Sequence, residues 1–230
     1  MIEKVKRYVV FLVGLFINAM GVSLITKASL GTSPISAIPY VLSLQFPLSL
    51  GGFTVVFSLL LIALQLIILG RNFRLEHALQ IPVSFAFGYF IDVCMELLFF
   101  VSPQSYMAQI AYLVLGCMIL GIGVYTEVLA DVVMLPGESL VRAVVFRWKT
   151  EFGVSKIVFD VTMSVTAAIL SFVFVRELQG VREGTIVAAL LVGFVARWIG
   201  RKLPHMPHLL FGHKIEPQQK AVNTSAAKSI

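Results

Sequence analysis

Charge is scarce in this sequence. Asp, Glu, Lys and Arg make up 13% of its 230 residues, 58% are hydrophobic, and mean hydropathy is +0.93. An ordinary soluble domain carries about 25% charged residues, so these charges cannot cover a water-facing surface, and lipid must cover it instead. Histidine is nearly missing outside the C-terminal tail, where only His77 occurs, which leaves little for histidine acid–base catalysis. The two cysteines, Cys94 and Cys117, both sit inside apolar runs. That excludes a disulfide framework and points to no metal site. There is no nucleophile elbow, Walker loop, zinc helix or dinucleotide fingerprint. No enzyme, cofactor or metal is therefore expected. The net charge of +6 suggests no nucleic-acid partner, because the basic residues lie between apolar runs rather than along one face.

What is present is apolar sequence in lengths that suit a bilayer. Five runs have spanning length: about 8–26, 52–70, 79–101, 107–130 and 184–200. A sixth, 156–175, begins with Lys156 and Asp160 and is apolar afterwards. In lipid each satisfies its backbone only as a helix, so an all-α bundle of about six spans is expected. Two further segments, Pro34–Phe46 and Pro136–Trp148, are apolar but short. At about 1.5 Å per residue they fall well short of a ~30 Å hydrocarbon core and read as re-entrant or interfacial helices. Residues 1–203 then form a single transmembrane domain, and 204–230, rich in Pro, Gln, Ser and Lys, read as a disordered tail. Its three histidines (His205, His208 and His213) read as a chance cluster.

Lys4, Lys6 and Arg7 precede the first run, and Arg71 and Arg74 follow the second. Arg142, Arg147, Lys149 and Lys156 separate the fourth and fifth spans, and Arg201 and Lys202 follow the last. With six spans these loops share one side, which the positive-inside rule makes cytoplasmic, together with both termini. The basic start and apolar stretch of Met1–Ala28 also resemble a signal peptide, but that segment has a counterpart later in the chain.

Shifted by 102 residues, Gly14, Gly21, Ala28, Pro34 and Gly51 meet Gly116, Gly123, Ala130, Pro136 and Gly153. With three extra residues, Ile81 and Gly88 then meet Ile186 and Gly193. The weight lies in Gly and Pro, which have geometric roles. Each half, about 8–101 and 107–202, reads as span, short proline-led helix, span, span. Three crossings is an odd number, so the second half enters from the opposite side. Inverted halves with broken helices near mid-membrane are a transporter architecture.

Ser33-Pro34 and Leu135-Pro136 are good helix openings, and a helix start offers free N–H groups to an anionic group. Lys27, Thr32 and Ser33 from one half, and Glu138 and Arg142 from the other, are the candidate solute-binding residues. Glu138 and Arg142 equally suit a helix-local ion pair. Glu127 and Asp131, one turn apart, are candidates for proton or sodium coupling. Lys156 and Asp160 read as an interfacial ion pair. Asp92 and Glu96 either line a watery path, stay protonated or lie at the interface. Arg182 and Glu183 cap the last span or gate its outer side.

Gly21–Pro34 (GVSLITKASLGTSP), Leu135-Pro136-Gly137-Glu138 and Gly180–Gly193 (GVREGTIVAALLVG) resemble the YczE/YitT-like bacterial membrane proteins, nearer the YczE branch. Related sequences often continue after Ser-Pro with Trp-Asp, where Ile35-Ser36 stands here. The resemblance implies a bacterial inner-membrane protein and no particular activity. The expected function is a transporter or facilitator of a small anionic or zwitterionic solute, with a homodimer or partner subunit compatible. The alternative is a scaffold or accessory protein that transports nothing.

Overall fold

A computed structural model describes residues 2–73, 75–177 and 179–203; the tail assigned from sequence to 204–230 lies outside them. The described residues are helical, with no strand. In chain order they form α1 (Ile2–Lys27), α2 (Pro34–Ser43), α3 (Leu50–Leu69), α4 (Leu75–Ala78), α5 (Gln80–Leu97), α6 (Tyr106–Ala130), α7 (Pro136–Trp148), α8 (Phe152–Phe174) and α9 (Glu183–Lys202). Five of these, α1, α3, α6, α8 and α9, are long and apolar enough to cross a membrane. The chain is a multi-pass helical membrane bundle. Its polarity is inverted relative to a soluble protein. Ile67, Phe172 and Leu190 stand 77%, 68% and 70% exposed, whereas Asn18, Gln65, Gln80 and Ser84 are buried at 2% or less.

Glycine sets the main seam. A Cβ on Gly14 would strike the Glu127 backbone, one on Gly21 Leu120, one on Gly116 Ile25, and one on Gly123 Asn18. In each of these four pairs the residue numbers add to 141, so α1 and α6 run antiparallel in a single register. Small residues let the two backbones touch, which matters in lipid because apolar side chains gain nothing there by leaving water. At one end Arg7 Nη1 donates to Ala130 O at 3.3 Å. Helix α5 packs along α1, where Ser23 Oγ donates to Ile91 O. Helix α9 packs along α6, where Gly121 lies against Val195.

The expected short helices are there. α7 has the bounds given by sequence, and α2 stops at Ser43, three residues early. The Ser43 hydroxyl takes the Tyr40 carbonyl, and Pro47 cannot extend the helix. α2 packs on α3 and α8, and α7 packs on α3 and α8. Helix α5 is 18 residues long but carries Gln80, Asp92 and Glu96, and it is not among the five spanning helices.

Gly21→Ala places a methyl against the Leu120 backbone, which cannot give way. It is expected to cost about 1–3 kcal/mol and to lower the thermal unfolding midpoint of the purified protein in detergent. Gly193→Ala, where nothing lies within 4 Å, is the control and leaves the midpoint unchanged or higher.

Candidate functional site

Pro34 and Pro136 each occupy the first turn of their helix, as their fixed φ favours. The two helix starts abut: the Ile35 side chain occupies the space a Cβ on Gly137 would take. Their meeting point is thus filled by an apolar side chain. Ser33 holds the N-cap position of α2 with extended backbone, but its hydroxyl bonds the Ser36 hydroxyl at 2.9 Å rather than a backbone N–H. Thr32 is fully buried; its hydroxyl pairs with that of Thr26 at 3.0 Å, and its N–H donates to Gly180 O at 3.0 Å. Lys27, half-buried, closes the last turn of α1.

The loop 28–33 is stapled to the start of α9. Gly184 N donates to Leu30 O at 2.9 Å and Arg182 Nη1 to Ser29 O at 3.1 Å. Gly31 and Gly180 adopt φ of +106° and +82° there, a region that L-residues avoid. Arg182 is the N-cap of α9, and its N–H donates to the Thr185 hydroxyl. Beside this staple lies a polar cavity of about 380 Å³, lined by Thr26, Ser29, Tyr40, Glu177, Gln179 and Arg182 among others. Sequence reasoning named Arg182 as a cap or gate but missed Thr26, Tyr40, Glu177 and Gln179. Only their distance in sequence hid them.

The second-half candidates gather elsewhere. Glu138 lies within electrostatic reach of Lys156, Arg142 and Asp160, and Arg142 within reach of Glu138 and Asp131. Lys156 and Asp160 form the expected i,i+4 ion pair, so it belongs to this charge group. Glu127 borders the group through Glu138 and has Asn18 as a polar neighbour. Its side chain runs over Gly14. Glu127 Oε1 and Asn18 Oδ1 are both buried, and neither accepts a hydrogen bond among the described residues. Two unsatisfied acceptors in one apolar seam are costly. A proton on Glu127 supplies a donor, and a cation would serve the same end.

Asp92 has partners that the sequence did not point to. Its carboxylate accepts the Gly51 N–H at 2.8 Å and the Ser49 hydroxyl at 2.6 Å. It caps the start of α3, where a negative charge is favoured by the helix dipole. Sequence also missed a buried network behind α7. Gln65 Nε2 donates to Pro136 O at 3.0 Å, Gln80 Nε2 donates to Ser139 Oγ at 2.8 Å, and Ser139 Oγ donates to Gln65 Oε1 at 2.8 Å. The cue was available: glutamines at the ends of two apolar runs need buried partners.

A protein-family model matches residues 5–201 and describes a family of unknown function, DUF6198. The chain belongs to that family. No curated protein and no solved structure matches it. The match covers both proline-led helices and both charge-bearing regions, so the features above lie within the family's own span.

Gln80→Leu removes the bonds of the Gln80 amide to Gln65 and Ser139, which keep each other and Pro136 O as partners, and is expected to cost about 1–3 kcal/mol. Ser139→Ala leaves the Gln80–Gln65 bond in place and should cost about 0.6 kcal/mol, as polar pairs in membranes do on average. Chemical or thermal unfolding in detergent micelles ranks the two, and an equal effect would mean the network is not cooperative.

Proposed function

We propose that the protein is a transporter or facilitator of a small anionic or zwitterionic solute, built from two inverted repeats. The supporting observation is a pattern of helix contacts most of which map onto one another when the halves are exchanged. Under the 102-residue shift α1, α2, α3 and α5 correspond to α6, α7, α8 and α9. The α1–α5 contact then answers to α6–α9, α2–α3 to α7–α8, and α2–α8 to α7–α3. The α1–α6 seam answers to itself, since Gly14 on Glu127 becomes Gly116 on Ile25 and Gly21 on Leu120 becomes Gly123 on Asn18. Ile35 and Gly137, which touch, are counterparts. Such a relation suits alternating access, because exchanging the conformations of two similar halves opens the opposite side.

In this reading α5 is the sixth span, its polar residues being spent on capping α3 and on the glutamine network. α2 and α7 are re-entrant, and both termini lie on the cytoplasmic side of a bacterial inner membrane. The solute meets Lys27, Thr32, Ser33 and the polar cavity beside Arg182 from one side. It meets Glu138 and Arg142 from the other. Both signs of charge are offered, which fits an anion or a zwitterion. Glu127, with Asp131 near the same charge group, takes the coupling ion.

A second reading, a scaffold that moves nothing, is favoured by one feature: Ile35 fills the place where the helix starts meet. Under the transport reading Ile35 is the barrier that must withdraw from Gly137.

A solute is first found by the rise in thermal stability it causes by mass action, then followed into proteoliposomes. Glu138→Gln and Arg142→Ala should each slow uptake by about tenfold or more, equivalent to about 1.4 kcal/mol in the barrier. Unchanged flux in both removes them from the site, and no uptake of any stabilising solute leaves the scaffold.

Coupling has its own signature. Glu127→Gln should abolish accumulation driven by a proton gradient while leaving solute exchange across the membrane intact. Accumulation that survives in this variant excludes Glu127 as the coupling group.

A further inference from the structure

Under exchange of the halves the most extensive contact without a counterpart is that between α3 and α5. α3 and α5 pack closely, but α8 and α9, which correspond to them, form no packing seam although they are consecutive in the chain. The first-half seam is built from two features. Gly51 and Gly88 let the backbones touch, for a Cβ on either would strike the other's carbonyl oxygen. At the start of α3, Ser49 and Asp92 join across the seam through a 2.6 Å hydrogen bond.

The second half carries the same equipment unused. The counterparts of Gly51 and Gly88 are Gly153 and Gly193. Around a Cβ on Gly193 nothing lies within 4 Å, and around one on Gly153 only the neighbouring Glu151 carboxylate does, at 3.8 Å. Glycine at both positions is costly in a helix unless a close approach needs it. The counterparts of Ser49 and Asp92 are Glu151, the N-cap of α8, and Arg197 on α9. They differ chemically from the first-half pair, yet they too can bond each other, here as opposite charges. Both are exposed; among the described residues Arg197 Nε donates to Gly193 O, and no ion pair joins Glu151 to Arg197. Val55 of α3 meets Gly88, whereas its counterpart Ile157 is 65% exposed.

We propose that α8 and α9 close on each other in a second state of the protein, with Gly153 packed against Gly193 and Glu151 paired to Arg197. The inference rests on the repeat reading above and adds the residues that would latch the other conformation. Close packing of small residues and one ion pair near the membrane surface drive the closure, since apolar side chains leaving lipid supply no hydrophobic gain. The latch selects the state, because it forms only when the seam is shut.

The test places cysteines at Gly153 and Gly193, where the surroundings leave room, and follows disulfide formation in native membranes by mass spectrometry. A disulfide needs Cβ atoms about 3.8 Å apart, so it reports closure and not mere proximity. The bond should form; adding Arg197→Glu should cut its yield several-fold, and Glu151→Arg together with Arg197→Glu should restore it. No disulfide, or a yield indifferent to these charges, overturns the proposal. Uptake is measured on the same proteins. Full uptake without any crosslink sinks the latch and spares the transport reading. A charge-dependent crosslink in a protein that moves no solute does the reverse.

Discussion

The contact between α1 and α6 governs the rest of the molecule. Two antiparallel helices meet backbone to backbone over four glycine positions, two on each helix. In lipid no release of water drives them together, so tight packing itself has to supply the stability. Tight packing is also selective. A slip of register would set Leu120 or Ile25 against a side chain instead of a glycine. One register therefore fixes how deep each helix sits. It brings Arg7 to the end of α6 at one face, and at the other it carries the 28–33 loop to the start of α9. α5 and α9 lie along α1 and α6 respectively, and the short helices fill the space left between the halves.

Polar residues follow from that arrangement. A chain with so few charges places them where they have partners or work. Asp92 neutralises a helix start, Gln65 and Gln80 hold α7, and Thr32 and Arg182 hold the loop over the polar cavity. What remains is Glu138 with its neighbours and the Glu127–Asn18 pair. Of these, only the pair leaves buried acceptors unsatisfied. Among the described residues, every other buried side-chain polar atom has a hydrogen-bond partner. That exception is what the proposed coupling role of Glu127 rests on; Asp92, also an acid within an apolar helix, has its partners in Ser49 and Gly51.

Local signals carried most of the fold from the sequence. Apolar length located the spanning helices, and proline fixed where α2 and α7 begin, because both effects act within a few residues. The glycine spacing pointed to an internal repeat but not to the α1–α6 contact or its register, which join two segments about a hundred residues apart. For Asp92 the sequence left the readings open: an acid in an apolar run looks alike whether it is protonated, hydrated or capping a helix, and its partners at Ser49 and Gly51 are some forty residues away. In the Gln65–Gln80–Ser139 network the glutamines are 15 residues apart, but Ser139 lies 59 and 74 residues from them. The candidate site was half legible. Charged residues were found by their cost in lipid, whereas the cavity residues Thr26, Tyr40 and Gln179 are ordinary until the loops fold over them. Ile35, an apolar residue in an apolar segment, gave no sign that it would fill the centre.

Under the proposed repeat the two halves are also fastened differently, and this bears on which parts can move. α7 is tied to α3 and α5 by the glutamine network, in which Gln65, Gln80 and Ser139 are all buried. The residues at the corresponding places are Ala167, Thr185 and Ala37, and α2 meets α8 through the two alanines and their apolar neighbours. Parting α3 from α7 would expose buried amides with no water to receive them, at about 1–3 kcal/mol for each group. Among the described residues no hydrogen bond joins α2 to α8, so sliding one along the other breaks none. In the proposed change of state α3 and α5 would therefore pivot about the glutamines, at the end away from Ser49 and Asp92, while α8 travels. The helix freest to travel is the one whose partner face on α9 stands open.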